Sequence, residues 1–154
     1  YFKESDTVTA GDSPTVFDTE FGKMGAAICY DVRFPELFRL MALSGAQIII
    51  VPGAFNMTTG PAHWELLFRS RALDNQVYMI GTAPARNTHS SYISYGNSLI
   101  ADPWGNVTGR LDQNENILIS EIDTDVIKKV RMELPVLKNR RSDVYKIEYR
   151  ILNY

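Results

Sequence analysis

The sequence predicts an α/β fold with a largely parallel sheet, because short buried strands alternate with amphipathic helices. Largely apolar runs at 24–29, 47–52 and 77–85 are typical of strands covered on both faces. Helical patterns at 34–46 and 61–76 separate these runs. A strand–helix–strand–helix–strand order forms right-handed crossovers, which place the strands side by side and parallel.

The first predicted helix has clear start and stop signals. Pro35 stands in its first turn, where a missing N–H costs nothing, and Gly45 follows its last apolar residue. The second predicted helix carries Glu65, Arg69 and Arg71. We expect these three side chains to form an ion-paired or interface face rather than to act as catalysts.

The pattern changes on either side of this unit. A strand is predicted at 15–21, two strands around a turn at 103–105, and another strand at 116–123. A short helix over 124–135 is predicted to be capped by Thr124. The remaining residues are basic and aromatic, which suits an arm that lies over a neighbouring subunit better than a core.

Composition excludes several classes of protein. The chain has 154 residues, of which 45% are hydrophobic and 22% charged, and these values fit one globular domain. Its net charge of -2 argues against nucleic-acid and anionic-membrane partners. We expect a reducing location, cytoplasmic or else mitochondrial, because one cysteine forms no internal disulfide. The chain does not begin with Met, so we expect the natural N-terminus upstream of residue 1.

The single cysteine lies where ligands bind in α/β proteins. Cys29 closes the first buried strand just before a helix, and ligands bind beyond the carboxyl ends of such strands. Arg33 and the helix N-terminus would favour its thiolate, and backbone N–H groups beginning with Tyr30 could hold an oxyanion. The alternative is an inert core residue, since free cysteine is often buried. Position alone leaves both open.

Two histidines are present, and a Cys–His pair stays open from spacing. His63 opens the second helix and His89 lies in a polar loop, where structural or solvated roles are the commoner use. One cysteine and two distant histidines do not resemble a zinc site, so we expect no metal. The glycine pattern of a phosphate-binding loop is absent as well.

The loop after the second buried strand should emerge beside Cys29. In a parallel sheet, residues 51–61 would bring Phe55, Asn56, Thr58 and Thr59 to the same rim. The alternative is an ordinary surface loop without function.

Four stretches together resemble the carbon–nitrogen hydrolase (nitrilase) superfamily. They are "GAAICYDVRFPEL", "VPGAFNMTTGPAHWELLFRSRALDNQVYMIGTAPAR", "YGNSLIADPWGNV" and "PVLKNRRSDVY". Within the superfamily, these four stretches are most similar to the omega-amidase branch, with deaminated-glutathione amidase as a near neighbour. The resemblance implies an αββα sandwich of the nitrilase type, of which this chain covers roughly the C-terminal half. It further implies a carbon–nitrogen hydrolase domain portion over 1–145 and a C-terminal arm over 146–154.

The resemblance also implies a chemistry without cofactor, metal or histidine. The family uses a cysteine nucleophile, a general-base glutamate, a lysine that stabilises the oxyanion, and often a second glutamate. Cys29 matches the nucleophile, Glu4 the second glutamate, and the backbone N–H of Tyr30 the oxyanion donor. The substrate-binding positions of the family are matched by Arg33, which would hold a carboxylate, and by Phe55 and Thr59, which would line the pocket.

The sequence departs from the family at two functional residues. The general-base glutamate and the lysine lie N-terminal to the family segment that matches residue 1. Lys3 and Lys23 stand in other contexts, and Glu36 belongs to the first helix. A protein that began at residue 1 would therefore be expected to be inactive, since each lost group costs about 100-fold or more in rate.

Four functional hypotheses follow. The leading one is hydrolysis of the terminal amide of small carboxylate-bearing substrates such as 2-oxoglutaramate, through a cysteine thioester and with release of ammonia. The branch resemblance also implies a homodimer, with the C-terminal arm near the partner. The alternatives are a deaminated-glutathione amidase, a truncated non-catalytic subunit that forms dimers, and a Cys–His transferase that uses His63.

Overall fold

The computed structural model describes residues 6–148, which fold around one mixed sheet with the strand order β1-β2-β3-β4-β5-β6. The strands are β1 (Thr15–Thr19), β2 (Gly22–Ala26), β3 (Ile48–Pro52), β4 (Tyr78–Thr82), β5 (Leu99–Ala101) and β6 (Val107–Arg110). The helices are α1 (Pro35–Leu43), α2 (Thr59–Asn75) and α3 (Asp125–Glu133), and a 3-10 helix spans Cys29–Arg33.

The centre of the sheet is parallel, as the sequence predicts. β2 pairs with β3 and β3 with β4 in parallel, whereas β1, β5 and β6 add antiparallel strands at the two sides. The connections through α1 and α2 are the predicted crossovers. The α/β fold class is therefore confirmed.

The two middle strands of the sheet, β3 and β4, are buried on both faces. Ile49 and Met79 belong to the larger apolar cluster, which lies under α1 and α2, and their neighbours Ile48 and Tyr78 belong to a second cluster on the opposite face. Successive residues of a strand point to opposite faces, so both layers draw on the same short runs. This double burial explains why those runs read as continuous apolar sequence.

The α2 helix packs very closely on the sheet. A Cβ atom added at Gly81 of β4 would lie 2.7 Å from the ring of Phe68 and 3.0 Å from that of Trp64. Both aromatic side chains are almost fully buried. Close packing of α2 fixes its first turn relative to the ends of the strands, where the candidate site lies.

The predicted strand over 116–123 is wrong. This segment forms no strand in the structure, and it lies across the second face of the sheet instead of extending its edge. Leu118 and Ile122 pack against the cluster around Ile48, and the Tyr78 hydroxyl donates to the Asp123 carbonyl at 3.1 Å. Leu118 and Ile122 therefore anchor a covering segment here without the ladder hydrogen bonds of a strand.

Two further expectations need correction. Helix α3 does follow Thr124, but the Thr124 side chain makes no capping hydrogen bond, and Asp123 Oδ1 accepts from the Asp125 N–H at 2.9 Å instead. The strand predicted at 24–29 ends at Ala26, so Cys29 lies in the 3-10 helix after it. Glu4 and most of the predicted arm lie outside the described residues.

Candidate active site

One cavity of about 520 Å³ collects the predicted site residues that the structure describes. It opens beyond the carboxyl ends of β2 and β3, in the place that parallel sheets provide for ligands. The predicted residues in its wall are Cys29, Tyr30, Arg33, Phe55, Asn56 and Thr59, whereas Thr58, which is predicted at the same rim, does not line it. The structure adds Ala54, His63 and Tyr92 to the same wall. The roles assigned to the predicted residues stay predictions.

Cys29 is presented by a strained turn. Its φ is 46°, in the left-handed region that residues other than glycine seldom adopt. Asp31 stabilises the turn: its Oδ2 accepts from the Ile28 N–H at 2.8 Å, and its own N–H donates to the Ile28 carbonyl at 2.9 Å. Backbone strain of this kind is common where a reactive side chain is aimed at a ligand.

The β3 loop comes very near this turn. A Cβ added at Gly53 would lie 3.1 Å from the Cα of Cys29 and 3.3 Å from the ring of Trp64. Any larger residue would push the loop away from Cys29. Gly53 thus brings the two strand ends into the contact that forms the cavity.

The far end of the 3-10 helix is held by a buried arginine. Arg71 of α2 donates from Nε to the Val32 carbonyl at 3.0 Å and from Nη2 to the Arg33 carbonyl at 3.3 Å. Burial lowers the pKa of Arg71, and the nearby Asp74 carboxylate partly offsets that effect. The side chain therefore ties the turn that carries Cys29 to a rigid helix.

The expected ion pairs on α2 are confirmed for all three residues. Glu65 lies 3.6 Å from Arg69 and also contacts Arg110 of β6. Arg71 lies 3.9 Å from Asp74, but only 7% of its surface is exposed and it also donates to two backbone carbonyl groups, so it does not belong to an exposed face. Its position in a charged helical stretch gave no signal of this role.

Arg33 is held on three sides within the cavity. Its guanidinium carbon lies 4.7 Å from the centre of the Phe55 ring and 5.4 Å from that of Tyr30, within the range of cation–π attraction. Its Nη1 donates to His63 Nδ1 at 3.3 Å. Over residues 6–148 no carboxylate lies within ion-pair distance of Arg33. Its positive charge therefore has no acidic partner in this part of the chain.

The loop before α2 is ordered by Asn56. Its Oδ1 accepts from the N–H groups of Thr58 and Thr59, at 3.0 and 2.8 Å, and from the Thr59 hydroxyl at 3.0 Å. These contacts satisfy N–H groups that the helix leaves without an acceptor. Phe55 is buried edge-on against Trp64 with ring centres 5.1 Å apart. The segment is therefore a structured wall of the cavity.

Tyr92 is a wall residue that the sequence reasoning missed. Its hydroxyl donates to the Ala54 carbonyl at 2.5 Å, which ties its distant loop to the β3 loop. Burial raises the pKa of this phenol, and negative charge at Cys29 raises it further. Tyr92 occurs in a polar loop without periodicity, so no local pattern could have placed it beside Cys29.

The charges in the cavity are one-sided. Among its described wall residues there is an arginine but neither a carboxylate nor a lysine. Nor does any group of three or more His, Cys, Asp or Glu side chains within residues 6–148 come close enough together to hold a metal ion. In the same part of the chain, no helix has the length and apolar character needed to cross a membrane. The described cavity can present a thiol and attract an anion.

A second cavity, of about 350 Å³, lies between α1, α2 and residues 136–147. Its wall includes Arg39 and Arg140 together with the carboxylates of Glu36 and Asp74. Arg39 Nη1 is buried and makes no hydrogen bond within residues 6–148. Burial lowers the pKa of Arg39, and the charge of Arg140 lowers it further.

The chain belongs to the carbon-nitrogen hydrolase family, whose model matches residues 1–132. Omega-amidase NIT2-A of Xenopus laevis is 50% identical over 147 residues, which are 96% of this chain and 53% of that protein. The chain therefore spans about half the length of the curated relatives it matches.

Solved structures agree with this assignment. Saccharomyces cerevisiae Nit3, a member of branch 10 of the nitrilase superfamily, has a TM-score of 0.85 and 49% identity, covering 90% of this chain and 51% of that one. The C. elegans NitFhit protein has a TM-score of 0.91 and 39% identity, covering 97% and 36%. The predicted nitrilase-type fold and omega-amidase-like branch are confirmed.

Proposed function

We propose that the natural polypeptide containing this chain hydrolyses the terminal amide of small carboxylate-bearing substrates such as 2-oxoglutaramate. The observation that carries the proposal is the presence in one cavity of Cys29 and of Arg33, which has no acidic partner within residues 6–148. Relatives named omega-amidase, about half identical to this chain, support it. A thiol supplies the nucleophile for acyl transfer, and a guanidinium matches a carboxylate with two parallel N–H donors.

The reaction proceeds through a thioester. The Cys29 thiolate attacks the amide carbon, and the backbone N–H of Tyr30, at the start of the 3-10 helix, donates to the developing oxyanion. The carbon–nitrogen bond then breaks and the leaving nitrogen takes up a proton, which releases ammonia. Water attacks the thioester, giving the carboxylic acid and freeing the thiol.

Proton transfer requires groups beyond the described wall. We propose that Glu4 is the second glutamate of the family, and that the general-base glutamate and the oxyanion lysine come from polypeptide outside residues 6–148. Without a base, a cysteine amidase loses about 100-fold or more in rate. Glu4→Gln should therefore lower kcat in the intact natural protein.

The spacing of the 3-10 helix suits a short substrate. Cys29 and Arg33 are its first and last residues. Both side chains line the same cavity, so a short acid with one terminal amide can meet the thiol with its amide and the guanidinium with its carboxylate. Phe55, which follows the end of β3, and Thr59, which begins α2, line the same cavity.

His63 is a poor base for Cys29 in this arrangement. An arginine N–H can only donate, so His63 Nδ1 must accept, and a neutral imidazole then carries its proton on Nε2. The nitrogen with the free lone pair is therefore already engaged by Arg33. This geometry argues against the Cys–His transferase hypothesis.

The experiment is a comparison of ammonia release from 2-oxoglutaramate and from deaminated glutathione, with the natural protein and a Cys29→Ala variant. Cys29-dependent release with a higher kcat/KM for 2-oxoglutaramate supports the proposal. A higher kcat/KM for deaminated glutathione favours the neighbouring amidase, and release that survives in Cys29→Ala contradicts both. No release from natural protein of verified mass favours the non-catalytic subunit.

Assembly and location form a separate part of the proposal. We propose a homodimer in the cytoplasm or mitochondria, with the arm over 146–154 near the partner subunit. Its basic and aromatic sequence supports an interface role. Light scattering coupled to gel filtration would show a dimer that deletion of 146–154 weakens; an unchanged dimer would remove the arm from the interface.

A further inference from the structure

We infer that His63 is a positioning residue that orients Arg33 for the substrate's carboxylate, and that it thereby strengthens the preference for carboxylate-bearing over neutral amides. The inference rests on the proposed function, because it takes Arg33 as the carboxylate anchor. It adds a residue to that function: His63 need touch neither the substrate nor Cys29.

The first support is that three side chains together restrain the Arg33 guanidinium. Aromatic rings of Phe55 and Tyr30 lie against its guanidinium, at 4.7 and 5.4 Å from the ring centres. Cation–π attraction holds the positive charge near the rings but does not set the direction of the N–H groups. The hydrogen bond from Nη1 to His63 Nδ1, at 3.3 Å, sets that direction. His63 therefore supplies the restraint that the rings do not.

The second support is the rigidity of the residue that carries the acceptor. His63 lies in the first turns of α2, next to Trp64, which is almost fully buried and donates to the Asn97 carbonyl at 2.7 Å. Asn56 holds the start of the same helix. The His63 backbone is thus fixed, although its side chain is exposed to the cavity.

The third support is the charge of the acceptor. A carboxylate at position 63 would bind Arg33 more strongly, but it would also neutralise the guanidinium that a substrate anion needs. A neutral imidazole accepts one N–H and leaves the positive charge in place. An arginine already held in position loses less side-chain freedom when it binds a carboxylate, which strengthens binding.

The test compares two substitutions at His63 in the natural protein. His63→Phe keeps a ring and removes the acceptor, whereas His63→Asn offers an amide oxygen near the position of Nδ1. With 2-oxoglutaramate, His63→Phe should lower kcat/KM by about tenfold, mainly through KM, and His63→Asn should restore most of that loss. With pentanamide, which has no carboxylate, both variants should keep kcat/KM within about twofold, as a restraint acting through Arg33 requires.

Two controls separate this inference from the proposed function. His89→Phe changes the exposed histidine outside the cavity and should leave kcat/KM unchanged for both 2-oxoglutaramate and pentanamide. Arg33→Lys tests the anchor itself: if it leaves the preference for 2-oxoglutaramate unchanged, the proposed function fails in its carboxylate site. If Arg33→Lys removes the preference and His63→Phe does not, only the role of His63 is overturned.

A binding measurement decides the matter where pentanamide turnover is too slow to follow. Calorimetric titration of the Cys29→Ala protein with 2-oxoglutarate reports the dissociation constant of a carboxylate ligand without chemistry. Adding His63→Phe should raise that constant about tenfold, and adding His63→Asn should raise it much less. Equal constants for the His63→Phe and parent proteins would overturn the inference.

Discussion

The cavity at Cys29 and the cavity between α1, α2 and residues 136–147 both contain arginine, yet they differ in what surrounds it. In the cavity at Cys29, Arg33 lies with aromatic rings and a neutral histidine, and no described wall residue is acidic. In the cavity beneath residues 136–147, Arg39 and Arg140 share the wall with two carboxylates. A positive charge without an acidic partner attracts an anion from solution. In a wall that holds both signs of charge, the carboxylates already neutralise the arginines.

The two cavities also differ in the backbone element that carries the arginine. Cys29 and Arg33 belong to one short helix whose two ends are tied down by Asp31 and Arg71. Arg39 extends from α1 and leaves Nη1 without a hydrogen bond in the described structure. Cavity volume alone would not distinguish the two sites; a reactive thiol on an anchored turn does.

The largest expected effect is the loss of the nucleophile. Cys29→Ala should reduce amide hydrolysis by natural protein about 10⁴-fold or more, because no other described wall residue can form the thioester. Steady-state ammonia release measures it. The matched change in the other cavity, Arg39→Met, should leave kcat/KM within about twofold. Comparable losses from both would remove the functional distinction between the cavities.

A second prediction concerns the anchor of the 3-10 helix. Arg71→Met leaves the Val32 and Arg33 carbonyls without their donor and should lower the free energy of unfolding by about 2–4 kcal/mol. Urea unfolding followed by circular dichroism measures the change. Arg69→Met, on the exposed side of α2, should cost about 1 kcal/mol. Equal costs would mean that Arg71 does not hold the turn.

The carboxylate anchor should show a smaller effect, confined to binding. Arg33→Lys keeps a positive charge but loses the forked donors, so KM for 2-oxoglutaramate should rise about 10- to 100-fold with a modest change in kcat. Initial-rate kinetics separates the two constants. A fall in kcat at unchanged KM would place Arg33 in the chemical step rather than in substrate binding.

The smallest effect is expected at Tyr92. Tyr92→Phe removes the hydrogen bond to Ala54 and should cost about 1 kcal/mol in the free energy of unfolding. The raised pKa of Tyr92 means that the folded state disfavours the phenolate. The protonated Tyr92 side chain therefore contributes to the free energy of unfolding at pH values below its unfolded-state pKa of about 10. This contribution is lost as the pH rises through the higher pKa of the folded state. Chemical unfolding between pH 8 and 11 should show a smaller alkaline loss of stability in Tyr92→Phe; equal losses contradict this assignment.

Much of the fold could be predicted from the sequence, because its central strands and helices carry strong local patterns. Helix α1 begins at Pro35, and β3 and β4 fall within the predicted apolar runs, whereas β2 begins two residues before its predicted run and ends three residues earlier. The strand predicted at 116–123 is wrong, because Leu118 and Ile122 pack on a face of the sheet and the segment does not pair at its edge. A short apolar run indicates burial, and burial alone does not distinguish a strand from a covering segment.

Residues of the candidate site could be predicted only where they belong to a stretch that resembles the family. Cys29, Arg33 and Phe55 lie in stretches that resemble the family, and the structure brings them into one cavity. The left-handed turn at Cys29 and the contacts of Arg71 and Tyr92 depend on segments far apart in sequence. Such contacts arise from tertiary packing, which no local pattern records.

The most direct test of the central claim is the mass of the protein during turnover. Natural protein mixed with 2-oxoglutaramate and quenched in acid should carry the acyl group of the substrate, and peptide mapping should place it on Cys29. The adduct should vanish when substrate is exhausted and should not form in Cys29→Ala. Ammonia release without any adduct, and persisting in Cys29→Ala, would show that Cys29 is not the nucleophile.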